Sequence, residues 1–573
     1  MNPKGKTGCP SVDKPWLKYY TEEAIHAPAP ETSLYEYMYA QNREHPSDVA
    51  LNYFGRKVTY GEMFQQIDAV AKAFRAQGMK EGDVCTIVTL SCVPSVLCLY
   101  GLNKIGAVSN YVNVLSSQED LETYFRQSAS EIVVTLDLFG EKVLKAAKAV
   151  GVRRVIVYSL SEGMPLVTKL GFRFKMRKVN LDYLKDERVL LWGDFLAGGT
   201  GQPEINFRKS PDSLCCLAHT GGTTGFPKTV LIHDRAMNIL AQQYDKSIVH
   251  QRQQVFLSVM IPFVIYGTLS NIHMPLCLGL HTVLIPKFDP ADWPSYIKRY
   301  RPQHLTAIPP YVAPMAEDKK LADMDLSCLI TVGLGGDGLN VPLEEKLNAF
   351  LAAHGSSAKV VKGYGMTEVC ATFSTCNNYA NRLGSVGFPF ATNNLMIYDN
   401  DRERELSYGE VGEICLQSAS RMMGYRDNEA EMAQLIRRHS DGSEWIHTGD
   451  LGYVDEDGFL FLVGRMKRVI LTTRGEVAYK VFPNIPEGVL DRHAGVHDAC
   501  IVGARDGKDL VLKAFLVLTP EMRGKEEQVE AELRALCQEE LSDYMQPRFY
   551  IFRTELPLTP AGKVDYRALE EEA

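Results

Sequence analysis

Between His219 and Val230 the chain reads HTGGTTGFPKTV, and the residue types there are those of an anion grip. Gly221, Gly222 and Gly225 let the backbone turn sharply and bring its N–H groups close to a ligand. Thr220, Thr223 and Thr224 add hydroxyl donors, and Lys228 adds a mobile positive charge. Such a set suits a polyphosphate. It is not the GxxxxGK[ST] loop, whose order of glycine, lysine and hydroxyl is not met.

Three further stretches carry chemistry. GYGMTE, from Gly363 to Glu368, offers the flat ring of Tyr364, a turn at Gly365, the Thr367 hydroxyl and the hard carboxylate of Glu368, a donor suited to Mg²⁺. Thr448 to Asp450 reads TGD and opens a stretch that ends at Arg465, with an Asp457-Gly458 turn that predicts a β-hairpin. Near the C-terminus, Lys563 sits in PLTPAGKVDYRAL; a lysine there is ordinarily a solvated charge. GLGGDG, Gly333 to Gly338, is by itself compatible with any turn.

These residues need a scaffold, and the chain is long enough to supply more than one core. With 573 residues it should divide into two or more domains, and 45% hydrophobic with 23% charged residues is the balance of a soluble globular protein. A net charge of −8 gives no drive toward nucleic acid, so any anion site is local. Thirteen cysteines without a CxxC pair, and an N-terminus without an apolar signal core, point to a reducing cytoplasm and buried thiols.

Thr59 can cap a helix carrying Met63, Ile67, Val70, Ala71 and Phe74 at helical spacing, with Gly78 as its stop. Val84–Leu90, Ile132–Thr135 and Val155–Tyr158 read as strands alternating with helices at Pro94–Ile105 and Glu141–Val150, the pattern of βαβ units. Val255 to Pro286 lacks any Lys, Arg, Asp or Glu, but Pro262, Gly267, Pro275 and Gly279 interrupt it. Buried strands with a short helix are expected there rather than a membrane span. Met164 to Asn180 holds five basic residues among apolar ones. Its Phe172, Phe174 and Met176 alternate with period two, predicting a half-buried strand, and weak peripheral membrane contact is the second reading. Beyond Gly464 the composition changes, and a small α+β domain is expected.

The order TGGTTGFPK, GLGGDG, GYGMTE, TGD with Arg465, and PLTPAGKVDYRAL resembles that of the acyl-adenylate-forming superfamily from about Thr32 onward. The resemblance implies an α/β fold: a large domain of helix-covered β-sheets (1–465) and a small mobile α+β domain (466–573). It implies ATP-dependent activation of a carboxylic acid to acyl-AMP, release of pyrophosphate, then thioester formation with coenzyme A. ATP would be bound by Thr220, Gly221, Gly222, Thr223, Thr224, Gly225, Lys228, Gly335, Gly336, Asp337, Tyr364 and Gly365. Asp450 and Arg465 would hold the ribose, Thr367 and Glu368 with Mg²⁺ would act in catalysis, and Lys563 would be the adenylation lysine. Lys467 would be the hinge, and Gly475 and Glu476 would approach coenzyme A. Phe263, Val264 and Gly267 would line the acyl pocket.

Four departures stand out. Thr229 replaces the glycine that usually ends PKG, Val264 replaces a usual histidine or aromatic, and Lys362 stands where an adenine-contacting amide or acid is common. RGEVAYKVFPNIPEG is longer than the superfamily's corresponding loop. Ile261 to Gly267 carries no aspartate to pair an α-ammonium, which favours an apolar acid and, within that class, a medium- or long-chain fatty acid over benzoate. A separate acyl carrier protein as thiol donor, and an inactive binding member of the fold, are the alternatives.

Overall fold

Strand and helix alternate as the patterning predicts, and they do so in two large sheets. A computed structural model of the chain describes residues 6–176, 181–220, 227–475, 477–558 and 564–573. Gly221, Gly222, Thr223, Thr224, Gly225, Glu476 and Lys563 lie outside the described residues.

Thr59 caps the helix Tyr60–Ala76 in a capping box with Glu62, and Gly78 follows it at φ +85°. The strands Val84–Val88, Val108–Val112, Ile132–Leu136 and Arg154–Tyr158 run parallel at the centre of one sheet. The two strands flanking the anion loop, Leu214–His219 and Thr229–His233, extend that sheet as an antiparallel pair. A second sheet places Val255–Ser258, His281–Leu284, His304–Ala307, Thr331–Leu334 and Val360–Tyr364 in parallel. Their side chains are mostly buried on both faces, as parallel sheets covered by helices require. A third, antiparallel sheet contains Gly412–Gln417, Glu444–Val454 and Leu460–Arg465.

The charge-free stretch forms the strand Val255–Ser258, a buried helical segment from Ile265 to Cys277, and the strand His281–Leu284. That segment widens to a π-turn at Leu269–His273. The hairpin at Asp457-Gly458 is present, with Gly458 at φ +95° and the Asp455 carboxylate accepting from the Asp457 and Phe459 amides.

One expectation fails. Leu166–Met176 is an α-helix, not a strand. Leu166, Leu170 and Phe174 recur every four residues, so the run satisfies the helical period as well as the strand period.

Past Arg468 the chain builds a two-stranded hairpin (Ile470–Arg474 with Val477–Val481) and a three-stranded sheet backed by the helix Glu526–Glu540. Among the described residues, no hydrophobic cluster spans 462–469: the larger cores end at Phe461 and the small ones begin at Ile470. The architecture is α/β, a large assembly of helix-covered sheets followed by a small α+β unit.

Candidate functional site

Asp450 and Arg465 lie opposite one another in the hairpin ladder, which is why fifteen positions of sequence separation place their side chains together. The Arg465 Nε is 3.0 Å from Asp450 Oδ1, while the Tyr364 hydroxyl donates to Asp450 Oδ2 at 2.7 Å. The Arg465 side chain is 63% exposed, so that ion pair falls in the range of about 0–1 kcal/mol. The bond from buried Tyr364 to a charged acceptor is of order 1.5–3 kcal/mol and dominates. It also joins the second sheet to the third. Burial, and then the Asp450 charge, push the Tyr364 hydroxyl well above its usual pKa, so it stays a donor.

The TGD segment has a further support that no motif announces. Glu413 Oε1 accepts from the Gly449 amide at 3.0 Å, Oε2 accepts from His447 Nδ1 at 2.8 Å, and Asn400 donates to Oε2 at 2.8 Å. Burial raises the Glu413 pKa, but the His447 and Asn400 hydrogen bonds outweigh it and hold the carboxyl below its ordinary range.

After Tyr364 the chain makes a tight turn. A Cβ on Gly365 would sit 1.9 Å from the Ala371 carbonyl oxygen, so only glycine fits. Thr367 and Glu368 lie in the short 3₁₀ turn Thr367–Val369, closed by Cys370 and Ala371 at φ +60° and +94°. Two consecutive non-glycine residues in the left-handed region are strained. Glu368 is buried and its Oε1 accepts from the Tyr425 hydroxyl at 2.5 Å.

Tyr425 links this turn to the anion loop. It pairs with Val230 in the strand leaving the loop, and Lys228 Nζ lies 5.0 Å above its ring. Lys228 also pairs with Glu431 at 2.6 Å, and the Lys228 hydrogen bond, helped by the Lys467 charge, lowers the Glu431 pKa. Neither Tyr425 nor Glu431 is signalled by the sequence, because their partners lie some 57 and 203 residues away.

The base of the loop is closed by the Thr220 amide donating to the Lys228 carbonyl at 3.0 Å. The Thr220 hydroxyl is buried with no hydrogen-bond partner among the described residues. Thr229 is a strand residue beside His219, whose Nε2 donates to Asn110 Oδ1 at 2.7 Å; burial pushes His219 down to about 4, leaving it neutral. Thr229 therefore extends the strand without entering the loop.

Gly335 is buried, and its missing Cβ would lie 3.6 Å from both the Gly363 carbonyl and the Tyr266 ring. Gly336 (φ +80°) and Asp337 are exposed beyond it. Lys362 does not face this space. It is buried in an ion pair with Glu344 and donates to the Arg382 carbonyl at 2.9 Å. In the stretch expected to line the acyl pocket, Phe263 is half-buried, Val264 is 36% exposed, and Gly267 packs so tightly that a Cβ would meet the Ile261 carbonyl at 2.0 Å. Tyr266, which the sequence reading passed over, stands between that segment and Gly335.

Lys467 is exposed in the turn Met466–Arg468, and Gly475 (φ +61°) is at the exposed tip of the Ile470–Val481 hairpin. Leu558 bridges Val564 across the segment that contains Lys563.

The AMP-binding enzyme profile matches residues 38–426, and that of the AMP-binding enzyme C-terminal domain matches 487–563. The long-chain-fatty-acid–CoA ligase of Bacillus subtilis (strain 168) is 27% identical over 573 residues, 98% of each chain. The 4-coumarate-CoA ligase 1 of Narcissus pseudonarcissus is 26% identical over 89% of this chain and 87% of its own. The crystal structure of the anthranilate CoA ligase AuaEII with anthranoyl-AMP matches with a TM-score of 0.80 at 22% identity, over 96% of this chain and 98% of its own. Among the described residues, no helix is long and apolar enough to cross a membrane.

Proposed function

Because the chain belongs to the AMP-binding enzyme family and is an acid–thiol ligase, we propose that it converts a medium- or long-chain fatty acid to its coenzyme A thioester through an acyl-AMP. The observation that carries the nucleotide half is the line Arg465–Asp450–Tyr364, with Glu368 one short turn away.

In this reading the acid's carboxylate attacks the α-phosphorus of ATP, forming an acyl–O–P bond and expelling pyrophosphate. A carboxylate is a poor electrophile until AMP becomes its leaving group. The protein's part is positioning and charge neutralisation. Asp450 exchanges its present partners for the ribose hydroxyls, and Tyr364 presents its ring to adenine. Lys228 leaves Glu431 for the departing phosphates, and the Thr220 hydroxyl, without a partner among the described residues, supports that role. Glu368, a buried hard oxygen donor, fits Mg²⁺, which when bound neutralises phosphate charge. Lys563 bridges the α-phosphate and the incoming carboxylate. The thiol then attacks the carbonyl carbon and AMP leaves.

A division at 465/466 with Lys467 as hinge is part of the same proposal, supported by the break between cores at 462–469. Gly475 and Glu476 would then approach coenzyme A. For the acid, support comes from the buried segment from Val255 to Leu284, which carries no charge to match an ammonium or a second carboxylate. The fatty-acid ligase relative, 27% identical and aligned over 98% of both chains, supports this reading.

The test is a panel of fatty, aryl and amino acids with ATP, Mg²⁺ and coenzyme A, scored for acyl-CoA by mass spectrometry. Thioesters of medium or long fatty acids are expected. Turnover confined to coumarate or benzoate would overturn the substrate class. Pyrophosphate release without acyl-CoA would move the acceptor to a carrier protein.

A further inference from the structure

We propose that Glu413, Cys415 and His447 form a zinc site on the third sheet, on the face turned away from its core and directly beside the TGD segment. Such a site is independent of which acid is activated.

Alternation along the strand Gly412–Gln417 sends Ile414 and Leu416 into the core of that sheet and puts Glu413 and Cys415 together on the opposite face. In the neighbouring strand Ile446 joins the core, so His447 shares the face of Cys415, its direct partner in the ladder. The register slips between Glu413 and Cys415, and both side chains reach one imidazole. His447 Nδ1 is 2.8 Å from Glu413 Oε2 and 3.5 Å from Cys415 Sγ. The donor atoms of the three buried residues lie within 4.8 Å of one another, and among the described residues no other three His, Cys, Asp or Glu side chains converge so closely.

As hydrogen-bonding partners the three are mismatched. The one proton on Nδ1 goes to Glu413, and the Cys415 thiol gains only a weak contact from the same atom. As metal ligands they match. Tetrahedral zinc, with bonds of about 2.05 Å to nitrogen and about 2.3 Å to sulfur, sets those two atoms about 3.6 Å apart and nitrogen and oxygen about 3.3 Å apart. The nitrogen–sulfur spacing is already 3.5 Å, and the nitrogen–oxygen spacing opens by about 0.5 Å once the shared proton is gone. Sulfur, imidazole nitrogen and carboxylate oxygen together select zinc over Mg²⁺ or Ca²⁺, which take oxygen ligands.

The groups that would orient these ligands are in place. Asn400 donates to Glu413 Oε2 and the Gly449 amide to Oε1. His439, half-buried and stacked on Tyr398, sets its Nε2 3.0 Å from His447 Nε2. When zinc takes Nδ1, the His447 proton moves to Nε2 and is donated to His439 Nε2, whose own proton shifts to its Nδ1. The proton released to solvent is that of the Cys415 thiol, and a fourth position on the metal remains for water.

The test uses the full-length enzyme, stripped with a chelator and returned to excess Mg²⁺ so that hard oxygen sites are filled. Zn²⁺ is titrated against a chromophoric chelator, and Co²⁺ is added separately as a spectroscopic substitute. Tight zinc binding is expected, with a thiolate-to-Co²⁺ band in the near ultraviolet and a higher unfolding temperature in zinc. Cys415→Ser should lose the band and weaken zinc binding about 100-fold or more. His439→Phe, which keeps a ring on Tyr398 but no proton acceptor, should keep the band and weaken zinc binding about tenfold. Circular dichroism reports folding; if the serine variant fails to fold, His439→Phe carries the test. Absence of the thiolate band in the wild type, or wild-type zinc affinity in either folded variant, overturns the proposal.

Discussion

The proposed nucleotide side and the proposed acyl side of this site are built on different principles. On the nucleotide side, side chains from three sheets are tied by directed bonds: Tyr364 to Asp450, Glu413 to Gly449, Tyr425 to Glu368. On the acyl side the determinants are shape. Gly267 lets a helical segment pack on the Ile261 carbonyl, Gly335 leaves room beside Tyr266, and a π-turn widens Leu269–His273. Directed bonds demand particular residues and leave motifs. Packing needs only volume, which many sequences supply. In the proposed function, chemistry therefore rests on directed bonds and specificity on volume.

Substitutions should separate the two sides. Replacing Lys563 with alanine should lower acyl-adenylate formation by about 10³-fold, the scale of a lost transition-state charge contact, while a supplied acyl-adenylate still reacts with coenzyme A. Normal adenylation by Lys563→Ala would remove that lysine from the chemistry. Asp450→Ala should raise KM for ATP by roughly 10- to 100-fold and leave KM for the acid unchanged, the scale of one or two lost hydrogen bonds to a charged group. An equal rise in both constants would mean that the two sides are not separable.

Gly267→Ala is the converse case. The forced displacement should cost about 1–3 kcal/mol in chemical denaturation and change the preference among acids more than KM for ATP. Glu413→Gln should give the smallest effect, a several-fold rise in KM for ATP with kcat nearly kept. Its pH dependence has a definite sign. Because the folded carboxyl titrates below its ordinary value of 4.5, its stabilisation is present above that value and is lost as pH falls through the folded pKa. Thermal unfolding followed downward from pH 6 should show wild type losing more stability than Glu413→Gln. Parallel curves would leave Glu413 without that role.

Much of this was legible in the sequence. Thr59, Gly78 and the alternation from Val84 to Tyr158 announced the first sheet, and Asp457-Gly458 announced the hairpin that pairs Asp450 with Arg465. These are local signals, and local physics reads them. Tyr425, Glu413 and Tyr266 were not legible, since each acts through a partner brought near only by sheet order. Lys362 stood out as a departure where an adenine-contacting amide or acid is common, and only the fold shows that its charge is consumed by Glu344. Leu166–Met176 was misread because one run fits both periods, and exposure leaves the choice to local helix preference.

The central claim, that a carboxylate oxygen attacks the α-phosphorus, has a direct test. Turnover of a fatty acid labelled with ¹⁸O in its carboxylate, with ATP, Mg²⁺ and coenzyme A, should place one labelled oxygen in the AMP formed, because the thiol cleaves the acyl carbon–oxygen bond and leaves that oxygen on phosphorus. Label in orthophosphate, or unlabelled AMP alongside acyl-CoA, would contradict the account.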